Sequence, residues 1–131
     1  MEKYRGFHET PNGTTTITLR NREIKGEWVY GNTVDRGRYY SAILTDSFKG
    51  IPVYKQVYSP TVRSLVTIDK NGKEMYDGDI VKSNVSDEIP HGVIKYSQEY
   101  AKYYVDIDDG YAEMDIDEYE PIVIGNLWED M

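Results

Sequence analysis

The apolar residues of this chain are the kinds that favour strands over helices. Val and Ile together number 23 of 131 residues, against seven for Leu and Ala, while Tyr contributes 13 and Thr nine. Branching at Cβ and flat aromatic rings suit a pleated, half-buried surface, and the strongest helix formers are nearly missing. The expected fold is therefore mainly β, with little helix.

Period-two segments separated by turn residues support this. In Thr14–Arg20, Ile17 and Leu19 share one face and Thr16, Thr18 and Arg20 the other, after a turn at Pro11-Asn12-Gly13. Further strands are expected at Glu27–Tyr30, Arg38–Leu44, Val53–Tyr58, Val62–Ile68, Asp79–Ser83, Val93–Tyr96, Tyr103–Ile107, Tyr111–Ile116 and Ile122–Gly125. Asp69-Lys70-Asn71-Gly72-Lys73 and Asp108-Asp109-Gly110 read as hairpin loops in which Gly supplies positive φ. A helical turn is expected only at Ser97–Lys102 or after Ser59-Pro60. A soft boundary near residue 70 divides a β-rich N-terminal portion, 1–69, from a C-terminal portion, 70–131, whose roughly five short strands are the size of a small SH3-like β-barrel.

Several function classes drop out. With no cysteine there is no disulfide framework, thiol nucleophile or thiolate-bound metal. No 18-residue apolar run or signal-like leader is present, so a soluble, cytoplasmic protein without membrane contact is expected. The chain lacks a phosphate-binding glycine loop, a GxSxG elbow and an HExxH pair, and its two histidines, His8 and His91, stand beside turn residues. A calcium loop starting at Asp69 fails because Lys73 occupies its fifth position and Ile80 its twelfth. No catalytic residue, metal or cofactor is expected.

Charge is the sharper feature. The net −8 is concentrated: Tyr104–Met131 holds ten acids and no Lys or Arg, leaving the first 103 residues with 15 bases against 13 acids. If Tyr111–Tyr119 is extended, Tyr111, Glu113, Asp115, Asp117 and Tyr119 share one solvent-facing side, opposite Ala112, Met114 and Ile116. With Asp106, Asp108 and Asp109 nearby, this stripe is a candidate binding surface for a basic partner. In the first half, Arg20, Arg22, Lys25, Arg36, Arg38 and Lys49 lie among Trp28, Tyr30, Tyr39 and Tyr40, the mixture with which small β-domains hold single-stranded nucleic acid. Alternation along a strand would bury at least one of Tyr39 and Tyr40.

The segment Lys70-Asn71-Gly72-Lys73-Glu74-Met75-Tyr76-Asp77-Gly78-Asp79-Ile80-Val81-Lys82 resembles the signature of the YopX family of phage and prophage proteins. Lys3-Tyr4-Arg5-Gly6-Phe7 resembles the family's opening, Gly26-Glu27-Trp28-Val29-Tyr30-Gly31-Asn32 its WVYG element, and Val123-Ile124-Gly125-Asn126-Leu127-Trp128-Glu129 its closing IGN element. The chain departs from the pattern in Phe7, where Trp is common, and His8, where an acid is common. The resemblance implies a mostly β fold with an SH3-like C-terminal portion and a phage-encoded origin, and it carries over no catalytic residue. Asn71, Gly72, Tyr76, Gly78, Asp79, Gly125 and Asn126 are expected to serve folding: Asn71-Gly72 turns a hairpin, Tyr76 packs, and Asp77-Gly78-Asp79 turns tightly into the next strand.

Together these features point to a non-catalytic, phage- or prophage-encoded accessory protein of the bacterial cytoplasm that binds another macromolecule. A host or phage protein is the expected partner, and self-association is expected because 13 Tyr and two Trp exceed what a small core needs. The alternatives are an acidic inhibitor or DNA mimic acting on a host protein, and a single-strand binder using the basic, aromatic first half.

Overall fold

The computed structural model describes residues 2–107 and 112–129. The chain is mainly β and divides into two compact units. Unit one runs to Leu65 and also takes in the C-terminal residues from Trp128; unit two is Val66–Leu127. Against the expected portions, 1–69 and 70–131, the division falls after Leu65 and the chain from Trp128 groups with the first unit.

Unit one holds β1(Tyr4–Glu9), β2(Thr15–Leu19), β3(Arg22–Gly31), β4(Val34–Asp35), β5(Tyr40–Phe48) and β6(Ile51–Tyr58), then a 3-10 turn Ser59–Thr61 and the start of β7(Arg63–Ile68). β3 pairs antiparallel with β1, from Tyr4↔Gly31 to Glu9↔Gly26, and with β2, while β1 also pairs with β7 at Tyr4↔Ser64 and Arg5↔Arg63. A second sheet has the order β4-β5-β6. Two apolar clusters fill the unit. One joins Val29, Ile43, Val57 and Val62; the other joins Phe7, Ile17, Ile24 and Trp128. Burying each such side chain contributes roughly 1.5–3 kcal/mol. Gly31 lets the two sheets approach, since a Cβ there would lie 2.0 Å from the Leu44 carbonyl oxygen.

Unit two continues from β7 into β8(Glu74–Tyr76), β9(Asp79–Ser83), β10(Gly92–Ser97), β11(Lys102–Ile107), β12(Ala112–Asp115), the one-turn helix α1(Ile116–Tyr119) and β13(Pro121–Asn126). Its sheet has the order β12-β11-β10-β9-β13, all antiparallel. Met75, Val81, Ile94, Val105, Ile107 and Tyr119 form its core. Among the described residues no rung joins the outer strands β12 and β13, so the sheet is an open five-stranded one and closure into the expected SH3-like barrel is not shown.

Two local expectations change. Ser97–Lys102 is no helix: Ser97 Oγ accepts the Tyr100 N–H at 3.2 Å, and Ala101 takes φ 52° to turn the chain into β11. Nor does the last acidic strand extend to Tyr119. It stops at Asp115, and Ile116–Tyr119 winds into one helical turn, closed by Glu120 in the left-handed region. Ile116 and Tyr119 are three residues apart, the spacing that brings both side chains to one side of a helix.

Candidate functional site

Two surfaces of unit one stand out. The first is at the β2–β3 turn, where Arg20 and Asn21 both take positive φ, 52° and 63°, the geometry of a two-residue type I′ hairpin. This sets Arg20 and Arg22 beside a cavity of about 270 Å³ whose other walls include Ile24, Tyr39, Tyr40 and Tyr58. The Tyr40 and Tyr58 rings lie 5.3 Å apart, tilted by 40°. The Tyr58 hydroxyl donates to the Glu9 carboxylate at 3.0 Å and accepts from Arg22 Nη2 at 3.1 Å, with Arg22 and Glu9 themselves 3.6 Å apart. Burial raises the Tyr58 phenol above its ordinary range, as do its hydrogen bond to Glu9, the charge of Glu9 and nearby Tyr40, against an opposing pull from Arg22. The hydroxyl thus stays protonated and keeps its donor role at neutral pH.

Both Tyr39 and Tyr40 are exposed, at 55% and 50%. The expectation that one enters the core fails because β5 begins only at Tyr40, so Tyr39 precedes the strand and its alternation. The other predicted cations and rings disperse. Arg38 lies over Tyr39 at 5.3 Å, Arg36 over Tyr4 at 5.7 Å, and Lys49 over Phe48 at 5.5 Å. Lys25 sits opposite Thr16, Tyr30 lies under Lys3, and Trp28 is half-buried among core residues. Tyr58 and Glu9 are missed by sequence reasoning, because nothing in the chain places either beside Arg22.

The second surface is the β5–β6 hairpin. Opposed residues of an antiparallel pair share a side of the sheet, which here groups Ser41 with Val57, Ile43 with Lys55, Asp46 with Val53, and Phe48 with Ile51. At the inner end of that side Val57 and Ile43 are fully buried, whereas at the outer end Phe48 and Ile51 are 66% and 65% exposed. The core face of the hairpin therefore continues into solvent. Its tip is again a two-residue turn, Lys49-Gly50, with φ 51° and 78°. Phe48 and Ile51 flanking Lys-Gly is the signal that could have revealed it.

In unit two the expected acidic stripe forms only in part: Glu113 and Asp115 share one side of β12 with Asp106 opposite Glu113, while Asp117 and Tyr119 leave it. Asp106 is buried on β11 and bonds to Lys95, and Asp115 bonds to Lys102 Nζ at 2.8 Å. That hydrogen bond, reinforced by the charge of Asp115, holds the Lys102 ammonium above its ordinary range. Glu113 is exposed opposite Asp106, and Asp117 lies on α1 rather than on the strand. Asp108, Asp109 and Tyr111 lie outside the described residues. Tyr119, expected in solvent, is fully buried; its hydroxyl donates to the Pro90 carbonyl at 2.8 Å, and burial pushes its phenol above the ordinary range, so that ionisation is disfavoured. The chain turns at Asp115, which breaks the alternation on which the stripe depended. Among the described residues no group of three or more His, Cys, Asp or Glu is placed to hold a metal ion, and no helix is long and apolar enough to cross a membrane.

The residues of the long signature build a turn system. Asp69 Oδ1 accepts the N–H groups of Asn71 and Lys73 at 2.8 Å each, and Oδ2 accepts that of Val123 at 3.0 Å. Burial alone would raise the Asp69 carboxyl, but the N–H groups of Val123, Lys73 and Asn71 and the charge of Lys73 outweigh it and hold the carboxyl below its ordinary value. Gly72, at φ 82°, donates to the Asp69 carbonyl. Fully buried Asp79 accepts the Tyr76 N–H, and the buried Tyr76 ring turns its hydroxyl to Glu74. Gly78, at φ 90°, donates to Ile94 and accepts from Leu127. Gly125 lies where the β9–β13 register shifts, and buried Asn126 pairs in register with Asp79.

A family model described as YopX protein matches residues 3–131. The chain belongs to the YopX family. No curated protein and no solved structure matches it. In this YopX chain the three shorter motif segments converge on one cluster of unit one. Arg5 lies 4.8 Å above the Trp28 ring, Trp28 meets Trp128 at 6.2 Å, and Arg63 lies 5.2 Å from Trp128. Trp28 Nε1 also donates to Glu129 at 2.6 Å. The YopX segments thus contribute packing and turns, and the exposed cleft and hairpin lie largely outside them.

Proposed function

We propose that this YopX protein is a phage- or prophage-encoded accessory protein of the bacterial cytoplasm that performs no catalysis of its own and works by binding, first of all to a second copy of itself through the β5–β6 hairpin. One observation carries the reading: Phe48, Ile51 and Val53, all exposed, share the side of the hairpin that continues the core face into solvent. Such a cluster is a contact surface, because burying it removes apolar area from water. A second copy suits it. A twofold contact sets a patch against itself, and this patch carries one exposed acid, Asp46, and one exposed base, Lys49, near its ends, so inversion brings each Lys49 towards the other copy's Asp46.

Light scattering across a concentration series tests this. The expected result is a mass rising from 15.2 kDa towards twice that value, with Phe48→Asp combined with Ile51→Asp remaining monomeric at unchanged far-UV circular dichroism. A wild-type monomer throughout, or a double variant that associates like wild type, overturns the reading.

A further inference from the structure

Unit one contains ten Lys and Arg against eight Asp and Glu, a net +2, although the whole chain is at −8. The cleft at the β2–β3 turn concentrates that excess. Arg20 and Arg22 line it, Arg38 lies over the Tyr39 ring at its margin, and Glu9 is the acid that faces them, through Arg22 and Tyr58. The Arg20 guanidinium has no hydrogen-bond, ion-pair or ring partner among the described residues, whereas Arg22 is oriented by Tyr58 and Glu9. The pair thus offers one committed and one uncommitted cation.

The aromatic wall complements them. Tyr40 packs against Tyr58 yet remains half exposed, and Tyr39 is more exposed still. Rings held in this way lose little conformational freedom when a flat ligand lies on them. At about 270 Å³ the cavity falls slightly below the usual range for drug-sized ligands, and it opens to solvent, so a chain whose bases enter in turn can continue beyond it.

We propose that unit one binds single-stranded nucleic acid in this cleft, with bases stacked on Tyr40 and Tyr39 and backbone phosphates met by Arg20 and Arg22. Duplex is disfavoured, because its bases are already stacked and their faces are unavailable to the tyrosines. The −10 of unit two, with five Lys against fifteen acids, opposes non-specific adhesion of any polyanion, so binding depends on the cleft rather than on net charge.

Fluorescence anisotropy of the full-length protein with labelled oligothymidylate, oligouridylate and a duplex of equal length tests the proposal. At about 50 mM salt the single strands bind and the duplex does not compete. Tyr40→Ala weakens binding roughly 5- to 150-fold, the range spanned by one lost stacking contact. Arg20→Gln, at a position with no folded partner to lose, lowers the slope of log affinity against log salt by about 0.7, one phosphate contact. Phe48→Asp with Ile51→Asp binds as wild type, which separates this site from self-association. Absence of binding at low salt, equal binding of duplex, or wild-type affinity and salt slope in both Tyr40→Ala and Arg20→Gln overturns it, with circular dichroism confirming that each variant is folded.

Discussion

Unit one and unit two are both small antiparallel β structures, yet they dispose of their charged groups in different ways. Six cation–π contacts lie in unit one: Lys3, Arg5, Arg36, Arg38, Lys49 and Arg63 each stand over an aromatic ring. In unit two the lysines meet carboxylates instead, at Lys70–Glu120, Lys95–Asp106 and Lys102–Asp115, and buried Asp69 and Asp79 meet backbone N–H groups. A cation on a ring keeps its full charge, whereas one on a carboxylate is neutralised. Unit one also pairs Arg22 with Glu9 and Lys55 with Glu27, so the contrast is one of proportion: its ring-held cations keep their charge and leave it at a net +2, while the lysines of unit two offset only part of that unit's acidity.

The largest expected effect tests whether the units behave as separate bodies. Trp128→Ala removes a ring packed among Phe7, Ile17 and Ile24 and destabilises unit one by about 3–5 kcal/mol. Hydrogen exchange should show protection lost in β1, β2 and β3 and retained in β9, β10 and β11; equal loss in both sets would mean that the units unfold as one.

Next comes Asp69→Asn, which places an amide NH₂ or a single carbonyl oxygen where two acceptor oxygens serve three N–H groups. A cost of about 1–3 kcal/mol is expected, confined to unit two, in urea unfolding followed at unit-two amides. Because the Asp69 carboxyl is held below its ordinary 3.8, its contribution is present above that value and disappears as pH falls through 3.8 towards the folded value. The wild type should lose this increment on acidification, and the Asn variant should have none to lose.

A smaller effect is expected from Arg36→Gln, which removes a cation from the Tyr4 ring and lowers the stability of unit one by about 0.5–1 kcal/mol in thermal melts. Lys102→Ala should have the least effect. Its bond to Asp115 is exposed on both sides, so no resolvable change in melting is expected, and a large one would contradict the contrast drawn between the two units.

The strands were legible where one face is buried. β9 coincides with the Asp79–Ser83 expected from alternation, and the Asn71-Gly72 turn sits where its positive φ requires. β1 was not legible. Its buried run Arg5-Gly6-Phe7 contains a guanidinium and a residue without a side chain, and the burial of Arg5 depends on the face of Trp28, a contact distant in sequence. The Arg20-Asn21 turn was hidden because neither residue is glycine, although both take positive φ. For the candidate site, the cations and rings were visible as types. Only the fold selects Arg20, Arg22, Tyr39 and Tyr40 from the larger set and adds Tyr58 and Glu9. The acidic stripe misled because Tyr111–Tyr119 satisfies both periods: Ala112, Met114 and Ile116 alternate, while Ile116 and Tyr119 share a helical side, and burial of Tyr119 decides between them.

Trp128 completes the core of unit one, yet it follows Leu65 in the chain only after the whole of Val66–Leu127. On the ribosome this fixes an order of events. At about 5–20 residues per second, the 62 residues of unit two take roughly 3–12 s to synthesise, and throughout that interval Phe7, Ile17 and Ile24 lack their closing ring. The earlier-translated half therefore reaches its final packing only once the whole of unit two has been synthesised.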